Sequence, residues 1–194
     1  MVNIALVGCN GKMGKAVTSA VQSRNDCEIV FGADPFGTPA YDYPVFESLA
    51  VSDKKADVII DFSNPASLDD ILAYALEKKI PCVLCTTGYS PEQVEKIKKA
   101  SESVAVFYSG NMSLGINLLI ELSKEAAKIL GAADFDIEIV EKHHNQKIDA
   151  PSGTALMIAD GISDTLAEEP QYVYDRHSYR KKRSKNEIGI HLSL

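Results

Sequence analysis

No apolar run in this sequence approaches the roughly 20 residues needed to span a bilayer. The longest candidate, around Leu114 to Leu122, is broken by Asn117 and Glu121. The opening MVNIALVGCNGKMG has no basic segment leading into a long apolar one. It does not read as a signal peptide, and a cytoplasmic protein is expected. Positive charge is not in excess either. Lys and Arg number 20 against 27 Asp and Glu, a formal net charge of -7 that disfavours nucleic acid or a membrane as the main partner. The one basic run, Arg176 to Lys185, has few aromatics near it and reads as a solvated loop rather than a nucleic-acid site. Cysteine is scarce, with only Cys9, Cys27, Cys82 and Cys85. Cys82 and Cys85 have C-x-x-C spacing, but IPCVLC reads as a buried strand, on which residues three apart face opposite ways. No second Cys/His pair stands at zinc-finger spacing, so a structural role is expected and no metal site. No internal repeat is visible.

What is present suits one large domain or two small ones: 194 residues, 45% hydrophobic and 24% charged. The first half alternates strands and helices. Strands are read at Val2 to Val7, Glu28 to Ala33, Asp57 to Phe62, Pro81 to Cys85 and Val104 to Phe107. Between them lie helices from Lys12 to Arg24, Pro65 to about Lys79, and Pro91 to about Ser101. In the first helix Met13, Ala16, Val17, Ala20 and Val21 form the expected apolar face. This alternation predicts βαβ units and a parallel sheet, the α/β class. The second half reads differently. A longer helix, Leu114 to Leu130, ends at Gly131 as a C′ residue, and a strand follows from Phe135 to Glu141. A helix capped by Ser152 and a last strand, Glu187 to Leu194, complete it. A boundary is placed near Ser109 to Ser113, giving domains 1–110 and 111–194. The chain stops inside its last strand, and further C-terminal sequence is expected.

Gly8, Gly11 and Gly14 follow the first strand and open the first helix. Such a turn must be tight, and its backbone must approach a pyrophosphate resting on the helix N-terminus. The spacing departs from G-x-G-x-x-G, so a mere packing turn stays open. Asp34 lies at the end of the second strand, where a carboxylate binds ribose hydroxyls. It repels a 2′-phosphate, whereas Lys12 attracts one, so dual use of NADH and NADPH with a lean to NADH is expected. Cys85-Thr86-Thr87 and Ser109-Gly110-Asn111-Met112 fall at two further strand ends, as ligand loops or as ordinary turns.

The segment Glu141 to Ala155, EKHHNQKIDAPSGTA, sets two histidines side by side with a lysine and runs into a capped helix. Two imidazoles, an ammonium and open N–H groups make a pocket for carboxylates and supply a proton donor. A surface loop of solvated His and Lys is the alternative.

With VGCNGKMG, DFSNP, CTTGY, SGNMSLGINLL and EKHHNQKIDAPSGTA in place, the chain closely resembles the dihydrodipicolinate (4-hydroxy-tetrahydrodipicolinate) reductases. The match is unbroken to about Ala155 and looser beyond. The resemblance implies a Rossmann-like nucleotide domain followed by an α+β substrate and oligomerisation domain, here incomplete at its end. It implies reduction of a small cyclic dicarboxylate with NADH or NADPH on the diaminopimelate route to lysine, and a homotetramer for full-length members. Gly8, Cys9, Asn10, Gly11, Lys12, Met13, Asp34, Cys85, Thr86, Thr87, Ser109, Gly110, Asn111 and Met112 would contact the cofactor. His143 would be proton donor or acceptor and Lys147 a second donor, while His144, Gly153 and Thr154 would bind substrate carboxylates. Cys85 stands where the family usually has Gly. Another Rossmann-fold dehydrogenase would lack the HHNQK and DAPSGT motifs, and a shortened chain that binds nucleotide without turnover is the non-enzymatic alternative.

Overall fold

The computed structural model describes residues 1–36, 41–145, 147, 150–176 and 180–193. The chain divides into two compact units, Met1–Gly110 and Asn111–Leu194.

The first unit is a parallel sheet of β1 (Val2–Val7), β2 (Cys27–Ala33), β3 (Val45–Phe46), β4 (Val58–Asp61), β5 (Cys82–Leu84) and β6 (Val106–Tyr108). Their spatial order is β3-β2-β1-β4-β5-β6. The order reverses between β1 and β4, the switch point at which ligands of doubly wound sheets bind. α1 (Lys12–Gln22), α2 (Leu68–Lys78) and α3 (Pro91–Ser101) connect the strands. Helices cover a parallel sheet, so its central strands read as near-continuous apolar runs. Phe31, Ile59, Leu68, Ile71 and Leu84 are fully buried between sheet and helices, each contributing about 1.5–3 kcal/mol by leaving water. α3 starts with a reciprocal capping box between Ser90 and Gln93, and α2 stops at Lys79 in a left-handed conformation.

α1 corrects the expected helix face. Met13, Ala16 and Ala20 are exposed, and Gly14 and Thr18 are the buried positions. Small residues win because the helix lies hard against the turn that precedes it: a Cβ on Gly14 would collide with the Gly8 carbonyl. The two-residue β3, paired to Gly32 and Ala33 of β2, was not read from the sequence.

The second unit is a three-stranded parallel sheet in the order β7 (Ile137–Lys142), β9 (Glu187–Ser193), β8 (Gln171–Tyr174). α4 (Leu114–Ala132) and α5 (Gly153–Ser163) supply its helical layer. Ala127, Ala159 and Ile162 pack with Ile188 and Ile190. Gly161 lets the helices approach, since a Cβ there would sit 3.0 Å from Ile120. α4 runs past Gly131, which is therefore not its C′ residue; the left-handed residue is Asp134. β8 was also unread, and Leu194, expected in the last strand, lies outside the described residues. Among the described residues no helix is long and apolar enough to cross a membrane.

Candidate functional site

The glycine turn after β1 is closed by backbone bonds, with Gly8 N–H donating to the Ala33 carbonyl (2.9 Å) and Gly11 N–H to the Gly8 carbonyl (3.2 Å). Gly8 sits at φ 74°, and a Cβ there would lie 2.5 Å from the Phe62 carbonyl oxygen. Gly11 caps α1 without any side-chain bond, so its first N–H groups face outward as an anion site. Asp34 ties the turn to the end of β2. Its carboxylate accepts from Asn10 N–H (3.0 Å) and Phe36 N–H (2.9 Å), and the Asn10 amide donates to the Phe36 carbonyl. A carboxylate has about four acceptor sites, so two protein donors leave room for ribose hydroxyls.

A cleft of about 690 Å³ opens over this turn, and Gly8, Asn10, Gly11 and Asp34 line it with Phe36 and Ser63. The crowding that bars a Cβ from Gly8 and Gly14, together with the open N-terminus of α1, fits a dinucleotide. Lys12 and Met13 occupy the exposed first turn of α1. Cys9 turns inward and is fully buried, its thiol pushed up to about 11 by burial and by the Asp34 charge. It could serve a ligand only through its backbone.

At the next strand end the sequence reading passed over Asp61. Its side chain is completely buried and accepts from the Ser63 N–H (2.9 Å), the Ser63 hydroxyl and the Tyr89 hydroxyl (3.1 Å). It pins together the loops that follow β4 and β5. Its signal was DFSNP, a buried acid before a run of small polar residues. Cys85 follows β5 with its N–H on the Asp61 carbonyl (2.9 Å). Burial, then the Asp61 charge, pushes both the Cys82 and Cys85 thiols up to about 11, which leaves them neutral at pH 7. Thr86 is buried beside Tyr89, whose hydroxyl donates to Asp61. Thr87 is exposed, and its methyl would lie 3.1 Å from a Cβ on Gly110. Ser109 N–H donates to the Leu84 carbonyl (3.1 Å). The β5 and β6 loops are thus neighbours on the carboxyl edge that also carries the glycine turn. Asn111 and Met112 belong to the second unit, where Asn111 accepts from Ser113 N–H (2.9 Å) and donates to Asn117 (3.3 Å).

In the second unit the histidine segment is organised around Glu141, which the sequence reading left without a role. One carboxylate oxygen accepts from Ser152 N–H (2.7 Å); the other accepts from the Ser152 hydroxyl and bonds His143 Nε2 at 3.0 Å. Ser152 Oγ in turn caps α5 by accepting from Ala155 N–H (3.1 Å). His144 is exposed, and its carbonyl accepts from Lys147 N–H (3.2 Å). Gly153 is exposed, with no atom of the described residues within 4 Å of a Cβ built there, and Thr154 is half-buried beside it. Through Glu141 and Ser152, His143 is thus tied to the helix start that carries Gly153 and Thr154. Gln146, Ile148 and Asp149 lie outside the described residues.

Desolvation raises the Glu141 pKa, but the Ser152 and His143 bonds outweigh it and hold the carboxyl below its ordinary value. The resulting stability is present above the unfolded-state pKa of about 4.3 and is lost as pH falls through the lower folded value. In urea unfolding from about pH 7 to about pH 3, the midpoints of wild type and Glu141→Gln will therefore converge at the acid end. A constant gap would remove Glu141 from the acid response.

The basic run is exposed from Arg180 to Lys185, as expected of a solvated loop, and only Arg176 at its start is half-buried. Arg176 bridges Glu138 (3.0 Å) and Glu187 (2.7 Å), Arg183 reaches Glu138 (3.2 Å) and Asp136 (3.5 Å), and Lys185 reaches Asp134 (3.0 Å). Gly189 makes this possible, because a side chain there would overlap the Glu138 carboxylate. Among the described residues no cluster of three or more His, Cys, Asp or Glu could hold a metal ion.

A doubly wound parallel sheet with a glycine turn at its switch point and an acid ending its second strand defines a Rossmann-like dinucleotide-binding protein. The chain belongs to the dihydrodipicolinate reductase family. Residues 2–112 match that family's N-terminal part and residues 115–193 its C-terminal part. A 4-hydroxy-tetrahydrodipicolinate reductase of Clostridium tetani is 52% identical over 98% of this chain and 74% of its own length. That of Caldanaerobacter subterraneus is 49% identical, with 98% and 75% covered. A dipicolinate-bound dihydrodipicolinate reductase from Paenisporosarcina sp. TG-14 superposes with a TM-score of 0.73 at 25% identity, over 99% of this chain and 79% of that one.

Proposed function

We propose that the chain reduces 4-hydroxy-tetrahydrodipicolinate to tetrahydrodipicolinate with NADH or NADPH, on the diaminopimelate route to lysine. The observation that carries the reading is the Glu141–His143–Ser152 cluster, which sets an imidazole beside the open N-terminus of α5. The first unit, residues 1–110, takes the role of dinucleotide domain, with Gly8 to Met13, Asp34, Cys85 to Thr87 and Ser109 to Met112 as cofactor contacts. The second, residues 111–194, takes substrate binding and tetramer assembly. Exposed Leu114, Leu118 and Leu122 on α4 supply apolar surface for such an assembly. The cytoplasm is the proposed location.

When bound, the nicotinamide supplies hydride. His144, Gly153 and Thr154 hold the substrate carboxylates through cation and helix N–H groups. The 4-hydroxyl leaves with a ring hydrogen as water, the conjugated C=C–C=N system so formed accepts the hydride, and His143 or Lys147 delivers the balancing proton, while the Lys147 ammonium stabilises charge developing on the substrate.

The same cleft supports a preference for NADH. Asp34, Glu47 and Asp70 line it, and no Lys or Arg does so among the described residues, so a 2′-phosphate of roughly −1.5 to −2 charge is repelled. Asp34→Asn should weaken NADH about tenfold, a lost charge-assisted bond, and NADPH less, measured by nicotinamide fluorescence titration. Equal losses for both cofactors would remove Asp34 as the discriminator.

The activity itself is tested by the fall in nicotinamide absorbance, with substrate generated in place from pyruvate and aspartate semialdehyde by the preceding synthase. Substrate-dependent oxidation supports the reductase. Cofactor binding without turnover overturns it for this chain.

A further inference from the structure

We propose that Glu141 is a positioning residue for His143: it holds the Nε2 proton and leaves Nδ1 as the nitrogen that exchanges a proton with the substrate. The inference rests on the proposed role of His143 and adds which nitrogen acts and what fixes it.

The argument begins with acceptor capacity. An ionised carboxylate only accepts hydrogen bonds, so a nitrogen 3.0 Å from Glu141 must carry the hydrogen. Nε2 is that nitrogen, and in the neutral ring Nδ1 is then the lone-pair site. Glu141 is itself immobilised. Its side chain is 11% exposed against 31% for His143, and Ser152 grips both carboxylate oxygens through its N–H and its hydroxyl. The backbone just after β7 is also anchored, because His143 N–H donates to the Ser193 carbonyl on β9 (3.0 Å). The imidazole is therefore fixed from two sides, by a backbone bond to β9 and a carboxylate bond at its far nitrogen.

A second consequence follows from Ser152. Its hydroxyl donates to Glu141 and accepts from Ala155 N–H, so one carboxylate aligns the ring and the first turn of α5 together. Gly153 and Thr154, the proposed carboxylate binders, lie in that turn. Proton donor and anion site thus keep a fixed spacing, set by eleven residues of chain folded back on one acid. Holding an imidazole in one tautomer, and stabilising the imidazolium formed when its other nitrogen takes a proton, is the work an acid does behind a catalytic histidine.

A purely structural Glu141, present only to start α5, makes a different prediction. Its loss would lower stability and leave the ring tautomer alone. Long-range proton–nitrogen correlation spectra separate the two, with His143→Gln identifying the His143 signals. In wild type at neutral pH, His143 is expected as the Nε2–H tautomer. Glu141→Gln, whose amide can donate where the carboxylate only accepted, should move it toward Nδ1–H. It should also lower kcat about 10- to 100-fold with little change in substrate KM or NADH affinity. Glu141→Asp should restore the Nε2–H form and part of kcat, and Ser152→Ala should weaken the helix start without changing the tautomer. An Nδ1–H ring in wild type overturns the proposal without any variant having to fold. So does Glu141→Gln retaining both tautomer and kcat while His143→Gln loses turnover. If His143→Gln keeps its turnover, the assignment beneath the proposal falls instead, and the wild-type spectrum still reports which nitrogen Glu141 holds.

Discussion

Gly8→Ala will abolish dinucleotide binding and lower the thermal midpoint by roughly 6–12 °C. Two separate penalties meet at this position. The backbone is at φ 74°, and the added Cβ would stand 2.5 Å from the Phe62 carbonyl oxygen and 2.8 Å from the Ser63 Cα. A left-handed alanine costs about 1 kcal/mol and an overpacked contact with backbone about 1–3 kcal/mol, near 3 kcal/mol together. In a chain of this size each kcal/mol shifts the midpoint by about 2–4 °C. Binding is lost for a geometric reason, since the turn relieves the clash only by moving away from β4, carrying Asn10 off its bond to Asp34. Gly153→Ala is the matched control. Among the described residues nothing lies within 4 Å of its Cβ, so its stability change should stay within about 0.5 kcal/mol. Differential scanning fluorimetry and NADH titration on both variants decide the matter; a Gly8→Ala protein that melts and binds like wild type would show that the turn does not depend on glycine.

His143→Gln will lower turnover about 10²- to 10⁴-fold, the contribution of a positioned general acid, and leave NADH affinity unchanged. The split arises because the proposed nucleotide residues before Asn111 all lie in the first unit and His143 in the second. Glutamine keeps a polar group near Glu141 (a donor for the carboxylate to accept) while removing the titrating nitrogen. Stopped-flow turnover beside fluorescence titration measures both quantities. Retained turnover with collapsed cofactor affinity would reverse the assignment.

The elements that sequence made visible are those whose cause is local. Pro91 announces α3 at its first residue, and Ser152 announces α5 through a bond only three residues long. The glycine turn, Asp34 and the EKHHNQKIDAPSGTA segment were legible for a related reason: the chemistry of a phosphate turn or an anion pocket demands particular residues at short spacing. The five longer strands of the first unit were legible from apolar runs that a covered parallel sheet requires.

Tertiary structure alone decided the rest. Two-residue β3 has no period to read, and exists through its ladder to β2. Asp61 reads as an ordinary acid until Tyr89, 28 residues on, closes over it. Arg176 reads as the start of a solvated charge run until the acids of β7 and β9 come within reach, Glu138 lying 38 residues before it. The face of α1 followed from the same cause, because hydrophobicity favoured Met13 and Ala16 while the close approach to Gly8 left room only for Gly14. Residue type determined by itself which chemistry this chain can carry, since that depends on groups and short spacings. Which of those groups are paired, buried or turned toward a ligand depends on contacts between distant segments, whose energies arise only when the chain closes on itself.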